Sequence, residues 1–275
     1  MNNKLKKIIA ISTIAIMTLG FTACGKKEVS TSNNTALETK VDKIKKAGQL
    51  VVGTSADYPP YEFHKSVSGN DEIIGFDIEI AKEIAKDLGV KLVIKDMDFK
   101  GLLNALESGN IDMVLAGMTP TEERMQSVDF SNIYYKAAQT LVVRTEDKDK
   151  IKTVEGLNGK GLGVQKGSIQ EDIAKNQLPK AQAKALGKIS DIALALKTKK
   201  IDAAIIESPV ASSYVNANKD LSISDIKLKT EDAGSAVAVK KGEKDLIDAI
   251  NKTLDHLTSS KAIDKMVIDA NSLVE

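Results

Sequence analysis

LLNALESGNIDMVLAGMTP, the stretch from Leu102 to Pro120, has a counterpart later in the chain: IALALKTKKIDAAIIESPV, from Ile192 to Val210. Each stretch contains the end of a predicted helix, a short polar turn, the pair Ile-Asp and an apolar run typical of a buried strand. Two copies of one helix-turn-strand unit indicate a chain with two lobes of similar plan. The same unit also recurs in α/β proteins without internal duplication, and that alternative stays open.

The segment before the first copy predicts a β-α-β unit. Gln49–Thr54 is a short apolar strand, and Lys91–Lys95 alternates as a second strand. Between them a helix opens at Gly75–Asp77, carries apolar residues at every fourth position and ends at Gly89. The sequence therefore predicts an α/β fold that begins near Val41.

Composition excludes several classes of function. The chain has 275 residues, 42% of them hydrophobic, with 39 basic and 38 acidic residues, a balance that predicts neither nucleic-acid nor anionic-membrane binding. A single cysteine rules out an intramolecular disulfide, and the two histidines lie far apart without metal-ligand spacing. We therefore expect no metal site and no cofactor.

The first residues read as a secretory signal. Three lysines precede an almost uncharged apolar run, Ile8–Phe21, which is too short to predict a membrane span. Thr22-Ala23-Cys24 follows this run. A small residue directly before a lone cysteine resembles the bacterial lipoprotein signal, although Phe21 stands where that signal usually has leucine.

This resemblance implies processing at the cysteine. Residues 1–23 would be a signal peptide that is removed, and the thiol of Cys24 would receive lipid such as palmitate. Residues 24–40, rich in lysine, serine, threonine and asparagine, would be a flexible tether. The alternative is an incidental cysteine beside an ordinary signal cleavage site.

Gly117 and Glu207 take matching positions in the two copies, each directly after a predicted strand. Open α/β sheets bind ligands at the carboxyl ends of their strands, so we expect these residues on facing walls of a cleft. GMTPTEER, from Gly117 to Arg124, contains one of only two arginines in the chain. Arg124 is therefore expected near one wall and Glu207 on the other.

A cation and an anion on facing walls suit an amino acid. A bound zwitterion needs both of its charges compensated, because an unpaired charge enclosed in protein costs much free energy. Arginine suits the carboxylate better than lysine, since its planar fork makes two parallel hydrogen bonds. Thr121 is predicted to cap a short helix that carries Arg124, and the Thr119 hydroxyl offers a further donor. The alternative is a surface arginine paired with a neighbouring glutamate.

Further motifs extend along the chain in a fixed order. They are Val51–Thr54, Asp57–Phe63, Gly75–Asp77, Asp98-Phe99, GMTPTEER, Val128–Ser131 with Tyr134-Tyr135, and Ile201–Ala204. Together they resemble the polar amino acid family of bacterial solute-binding proteins, which deliver ligand to ABC importers. The similarity runs from about Val41 to the C-terminus.

The resemblance implies a two-lobed, type II periplasmic-binding-protein fold of the α/β class. Two crossings between the lobes, near Gln139–Val143 and Gly234–Val239, would form a hinge. Lobe 1 would comprise residues 41–140 and 236–275, and lobe 2 residues 141–235. The second arginine, Arg144, is expected to be a surface residue near this hinge.

The resemblance also implies how the two ends of the ligand are held. Arg124 would clamp the carboxylate with help from Thr119 and the backbone at Gly117. Glu207, where many relatives have aspartate, would take the ammonium. In the second lobe, Gly167, Ser168 and Ile169 would add contacts to the carboxylate.

Four further residues are implied around the ligand side chain. Tyr58 and Phe99 would form aromatic walls, and Ser55 and Ala116 would complete the pocket. Many relatives have an acidic residue at the position of Ser55, and Asp57 nearby is expected to point elsewhere. The hydroxyl of Ser55 therefore disfavours cationic ligands without excluding arginine.

The resemblance implies a monomeric receptor that is not an enzyme. It would be lipid-anchored on the outer face of the cell membrane and would deliver glutamine, cystine or arginine to an ABC permease and its ATPase. One alternative is an enzyme on the same scaffold, similar to cyclohexadienyl or arogenate dehydratase, with Glu207 as general acid. Another is a ligand sensor for a membrane receptor.

Overall fold

The chain was analysed as a computed structural model that describes residues 38–229 and 234–274. The helices are α1 Lys40–Ala47, α2 Phe76–Leu88, α3 Leu102–Glu107, α4 Glu122–Ser127, α5 Ile169–Gln177, α6 Ile189–Lys197, α7 Ser208–Ala217, α8 Lys244–Ser259 and α9 Ala262–Leu273. The strands are β1 Gln49–Thr54, β2 Asp57–Tyr58, β3 Glu62–Val67, β4 Asn70–Ile74, β5 Lys91–Asp96, β6 Met113–Val114, β7 Val128–Lys136, β8 Gln139–Arg144, β9 Gly161–Gln165, β10 Gln182–Leu186, β11 Ala203–Glu207, β12 Leu221–Ile223 and β13 Gly234–Lys240. The signal peptide, Cys24 and nearly all of the predicted tether lie outside the described residues.

Two five-stranded sheets share one topology. The first has the order β5-β1-β6-β13-β7, and the second has the order β10-β9-β11-β8-β12. In each sheet the first three strands are parallel, and the last two connect through antiparallel pairs. The predicted pair of α/β lobes is confirmed. A small antiparallel sheet, β2-β3-β4, is inserted between β1 and α2.

The internal echo in the sequence corresponds to one repeated hydrogen-bond arrangement. Asp112 precedes β6, and its carboxylate accepts from the Val51 amide at 2.8 Å while its own amide donates to the Val51 carbonyl at 2.7 Å. Asp202 precedes β11 and makes the same two bonds with Gly161, at 2.9 and 2.7 Å. The Ile-Asp pair therefore fixes the register of the central parallel strands in both lobes.

Helix α2 begins and ends as predicted, at Phe76 and Leu88, with Gly89 in the left-handed conformation after it. Glycine is required at its N-terminus, because Gly75 has a φ of 132° and an added Cβ would come within 2.1 Å of the Tyr61 carbonyl oxygen. This close approach brings the first turn of α2 against the loop that leads into the small sheet.

The chain changes lobe next to both predicted crossings, between β7 and β8 and again between β12 and β13. Gln139–Val143 pairs only within the second sheet, and Gly234–Val239 only within the first. These segments are buried and almost wholly apolar, so their backbones make ladder bonds in one lobe instead of spanning two. The lobe boundaries at 140 and 235 stay predictions, each two residues inside the strand that follows.

Within the described residues, no helix combines the length and the apolar character needed to cross a bilayer.

Arg144 was wrongly expected at the surface. It is 7% exposed, and one guanidinium nitrogen donates to the carbonyl oxygens of Leu196 and Ile201 at 2.9 and 2.5 Å. Asp147 and Asp202 accept from its other nitrogens. Arg144 therefore joins the end of β8 to the turn between α6 and β11, inside the second lobe.

Replacing Arg144 should destabilise the second lobe. Arg144→Met leaves two buried carbonyls without their donor, so we expect the free energy of unfolding to fall by about 3 kcal/mol. Urea unfolding measures the change. Lys150→Met is the matched control, because Lys150 also pairs with Asp147 but is 69% exposed. A loss below about 1 kcal/mol in Arg144→Met would contradict a structural role.

Candidate functional site

A cavity lies where the carboxyl ends of β6 and β11 come together, and residues of both lobes line it. Its walls are Tyr58, Phe99, Ala116, Gly117, Thr119, Arg124, Gln139, Gln165, Ser168, Ile169, Gln170 and Glu207. Nine of the ten predicted ligand-binding residues are in this set. Ser55 is the exception: it is buried directly after β1, and the wall does not include it.

Arg124 is held at the cavity by its own helix and by both lobes. Thr121 caps α4 as predicted, accepting from the Arg124 amide at 3.2 Å. The guanidinium donates to the carbonyls of Thr119 at 2.7 Å and of Gly167, in the second lobe, at 3.0 Å, and it lies 5.4 Å from the Phe99 ring centroid. Burial lowers its pKa to about 10. The guanidinium therefore bonds to carbonyls and an aromatic face, and not to the neighbouring glutamates.

Glu207 ends β11 and is 4% exposed. Its two carboxylate oxygens accept from the hydroxyls of Tyr58 and Tyr61, both at 2.9 Å. Burial raises its pKa to about 7, although the two phenol donors oppose that shift. The negative charge is thus enclosed at the lobe boundary with two neutral donors from the first lobe. Tyr61 was missed in the sequence, and the hydroxyl of Tyr58 adds a polar role to the predicted aromatic wall.

Gly117 allows the wall to form but offers no free amide. Its φ is 56°, and an added Cβ would lie 3.2 Å from the Tyr58 ring. Its amide donates to a carboxylate oxygen of Asp77 at 2.9 Å. A buried acid from α2 therefore occupies this amide, and the expectation that the Gly117 backbone helps to bind the ligand stays a prediction.

The second lobe presents the start of a helix to the cavity. Ser168 and Ile169 lie at the N-terminus of α5, and the Ser168 hydroxyl donates to the Gln165 carbonyl at 2.6 Å instead of capping the helix. The first amides of a helix have no intrahelical acceptors, and the helix dipole favours an anion beside them. This end of α5 suits a ligand carboxylate opposite Arg124.

Three glutamines of the wall were not predicted from the sequence as site residues. Gln170 donates to the side-chain oxygen of Gln139 at 2.8 Å, and both are buried. Gln165 could have been found, because it ends β9 as Glu207 ends β11. Gln139 lies opposite Glu207 in the antiparallel pairing of β8 with β11, and no local signal marks that register.

Comparison with known proteins shows the family. The model of the bacterial extracellular solute-binding proteins, family 3, matches residues 50–268. The chain belongs to this family.

Its relatives include binding proteins for different amino acids. The arginine-binding extracellular protein ArtP of Bacillus subtilis (strain 168) is 39% identical over 95% of this chain and 96% of its own length. The glutamine-binding protein GlnH of an ABC transporter in the same strain is 33% identical, over 95% and 96%. The crystal structure of AbpA from Streptococcus pneumoniae Canada MDR_19A, an amino acid ABC transporter substrate-binding protein bound to L-arginine, is 40% identical over 85% of this chain and 99% of its own, with a TM-score of 0.83.

Behind the wall, this member of family 3 buries two more acids. Glu62 and Asp77 are both fully buried. Asp77 accepts from the Tyr134 hydroxyl at 2.8 Å, whereas neither carboxylate oxygen of Glu62 has a donor among the described residues. Burial raises the pKa of Asp77 to about 7. Burial also raises the pKa of Glu62 well above its usual range, and the nearby carboxylates of Asp77 and Glu207 raise it further. Three carboxyl groups therefore lie together with few compensating donors.

This cluster should make folding stability depend on pH. A carboxyl group whose pKa is raised in the folded state stabilises the fold at low pH and loses that effect as pH rises through the folded-state pKa. We expect ligand-free protein to lose stability as the pH rises from about 5 to about 7, and Glu62→Gln to reduce that loss.

Chemical denaturation across this pH range measures the effect. Glu79→Gln is the control, since Glu79 is an acid on α2 whose side chain is 46% exposed and paired with Lys82. Equal pH profiles for wild type and Glu62→Gln would show that Glu62 does not carry the cost.

Proposed function

We propose that this chain is the amino acid receptor of an ABC importer and binds its ligand between the two lobes. The observation that carries the proposal is one cavity with Arg124 from the first lobe and Glu207 from the second. An enclosed zwitterion requires this pair of opposite charges. Relatives along nearly the whole chain are binding proteins for arginine and glutamine, which supports the same class of ligand.

In this proposal each charged end of the ligand has a defined partner. Arg124 takes the carboxylate, since a guanidinium has five N–H donors and the two nitrogens bonded to carbonyls retain further ones. The N-terminus of α5, at Ser168 and Ile169, adds donors from the other side. Glu207 takes the ammonium in its ionised form.

Ligand entry requires the lobes to separate. The cavity has a volume of about 10 Å³, comparable to the space for a single water. The chain passes between the lobes once between β7 and β8 and again between β12 and β13, and two such passages form a hinge. A ligand that bonds to both lobes then favours the closed form, and the permease reads that form.

The buried acids favour a ligand with a cationic side chain. Arg124 is the only cation among the described residues that line the cavity, whereas Glu62, Asp77 and Glu207 lie in or directly behind its wall. A guanidinium or ammonium group on the ligand would offset this excess of negative charge. We therefore place arginine ahead of glutamine and cystine as the ligand. Many relatives have an acidic residue at the position of Ser55, and in this chain Glu62 takes over the role of that acid.

The proposal includes a place in the cell and further partners. Processing before Cys24 would leave the receptor lipid-anchored on the extracytoplasmic face of the membrane. A permease and its ATPase would complete the importer, and the receptor would act as a monomer. Each of these points rests on the sequence.

Binding, and not catalysis, is proposed for the cavity. Burial raises the pKa of Glu207 to about 7, which suits a general acid, but the two tyrosine hydroxyls that donate to its oxygens favour its ionised form. Ligand recovery separates the two functions. A receptor returns its amino acid unchanged after denaturation, whereas a dehydratase consumes a prephenate-like acid. The alternative function, a ligand sensor for a membrane receptor, stays open, because a sensor would bind an amino acid in the same cavity.

Arg124→Lys tests the carboxylate clamp. Lysine keeps the positive charge but loses the planar fork, so we expect the affinity for the preferred amino acid to fall about 100-fold. Calorimetric titration of the full chain, stripped of ligand by unfolding and refolding, measures the affinity. The unfolding temperature without ligand should stay within about 2 °C of wild type. Wild-type affinity in Arg124→Lys would exclude the clamp.

Arginine and citrulline test the side-chain assignment. Citrulline replaces the guanidinium with a neutral group of nearly the same shape. We expect wild type to prefer arginine over citrulline by at least about tenfold, and Glu62→Gln to lose most of that preference. The control is Glu79→Gln, which should keep it. A preference for citrulline or glutamine in wild type would contradict the cationic ligand but leave the amino acid receptor intact.

A further inference from the structure

One residue of the first lobe is bonded to two helices of the second, outside the ligand cavity. The carboxylate of Asp57, in β2, accepts from the Ser190 amide in the first turn of α6 at 3.1 Å. The Tyr214 hydroxyl, from α7, donates to the Asp57 main-chain carbonyl at 2.9 Å. The lobes are therefore joined through both the side chain and the backbone of Asp57.

Helix α6 lacks a cap from its own lobe. Lys188 occupies the N-cap position and makes no side-chain capping bond. The first amides of a helix need acceptors and its dipole favours a negative charge there, so a carboxylate from the opposite lobe meets both requirements. Burial raises the pKa of Asp57, while the amides of Ser190 and Ile189 oppose that shift.

Asp57 does not belong to the ligand cavity. It lines a separate groove of about 730 Å³, together with Lys188, Ser190 and Tyr214 from the second lobe. The wall of the ligand cavity does not include it. Its bonds to the second lobe exist only while the lobes are together, so they act on closure and not on the ligand itself.

We propose that Asp57 is a closing latch: a positioning residue that raises ligand affinity by capping α6 across the lobe boundary, without touching the ligand. This inference rests on the proposed function, since closure matters for affinity only if a ligand binds between the lobes. A contact made only in the closed form slows dissociation, because the lobes must break it before they open.

The test compares rate constants for L-arginine in stopped flow, with the full-length chain. We expect Asp57→Ala to raise the dissociation rate about tenfold and to change the association rate less than twofold. Asp57→Asn keeps an acceptor oxygen and should give an intermediate rate. Asp71→Ala is the matched control, because Asp71 is an exposed acid of the same small sheet, bonded only to His64.

Tyr214→Phe provides an independent variant. It removes only the hydroxyl that donates to the Asp57 carbonyl, and its ring can stay in place. We expect a smaller rise in the dissociation rate, about threefold, with the unfolding temperature of ligand-free protein unchanged. If Asp57→Ala and Tyr214→Phe both dissociate at the wild-type rate, the latch is overturned. It is also overturned if Asp71→Ala raises the dissociation rate as much as Asp57→Ala does.

Lobe closure is also measured without any amino acid, so that this inference and the proposed function fail separately. Dyes are placed at Lys86→Cys on α2 and Lys175→Cys on α5, both exposed positions, in a Cys24→Ser background. Single-molecule energy transfer then gives the closed population. A smaller closed population in Asp57→Ala than in wild type supports the latch even if no amino acid binds. A failure to bind any amino acid would contradict the proposed receptor function but not the latch. If wild type and Asp57→Ala have the same energy-transfer distribution, both without L-arginine and with it, the latch is overturned.

Discussion

Two opposite charges have to leave water together where the lobes meet, and the rest of the site is arranged around that requirement. Each charge is partly satisfied across the lobe boundary: Arg124 donates to the Gly167 carbonyl of the second lobe, and Glu207 accepts from Tyr58 and Tyr61 of the first. These partners are neutral, so they supply hydrogen bonds without cancelling the charge. A ligand with both a carboxylate and an ammonium supplies the missing opposite charges. In the proposed receptor the same groups would bind the ligand and hold the lobes together around it.

The repeated sheet topology places these charges opposite each other. In both lobes an aspartate at the start of the central strand, Asp112 or Asp202, bonds to both backbone groups of one residue in the adjacent strand and sets the register. The carboxyl ends of β6 and β11 are thereby fixed in equivalent positions, with Gly117 after one and Glu207 at the end of the other. Because these bonds set the register within each lobe, a change in the relative position of the two lobes leaves each strand end in place within its own sheet. Closure can then be controlled by a few contacts at their boundary.

The sequence was sufficient for the charged pair and for the plan of the lobes, because both follow local rules. Gly117, which opens the motif that contains Arg124, and Glu207 come directly after apolar runs, and strand ends are where such folds bind ligands. Residues positioned by long-range pairing carried no such signal. Gln139 reaches the cavity only because β8 lies beside β11, and Arg144 is buried only because the turn after α6 brings two carbonyls onto it. The local sequence around Arg144 is charged and indicated a surface, and only the tertiary contacts show otherwise.

The acid cluster links the choice of ligand to the cost of closing. Glu62, Asp77 and Glu207 are buried close together, and their raised pKa values mean that protons reduce the repulsion when no other cation is present. In the proposed receptor a ligand cation that reaches this region would take over that role, so that binding and proton release would be coupled. A neutral ligand of the same shape fills the space but leaves the repulsion in place. The proposed selectivity for a cationic amino acid therefore needs no carboxylate at the position of Ser55, because the charge behind the wall acts through a region of low dielectric constant.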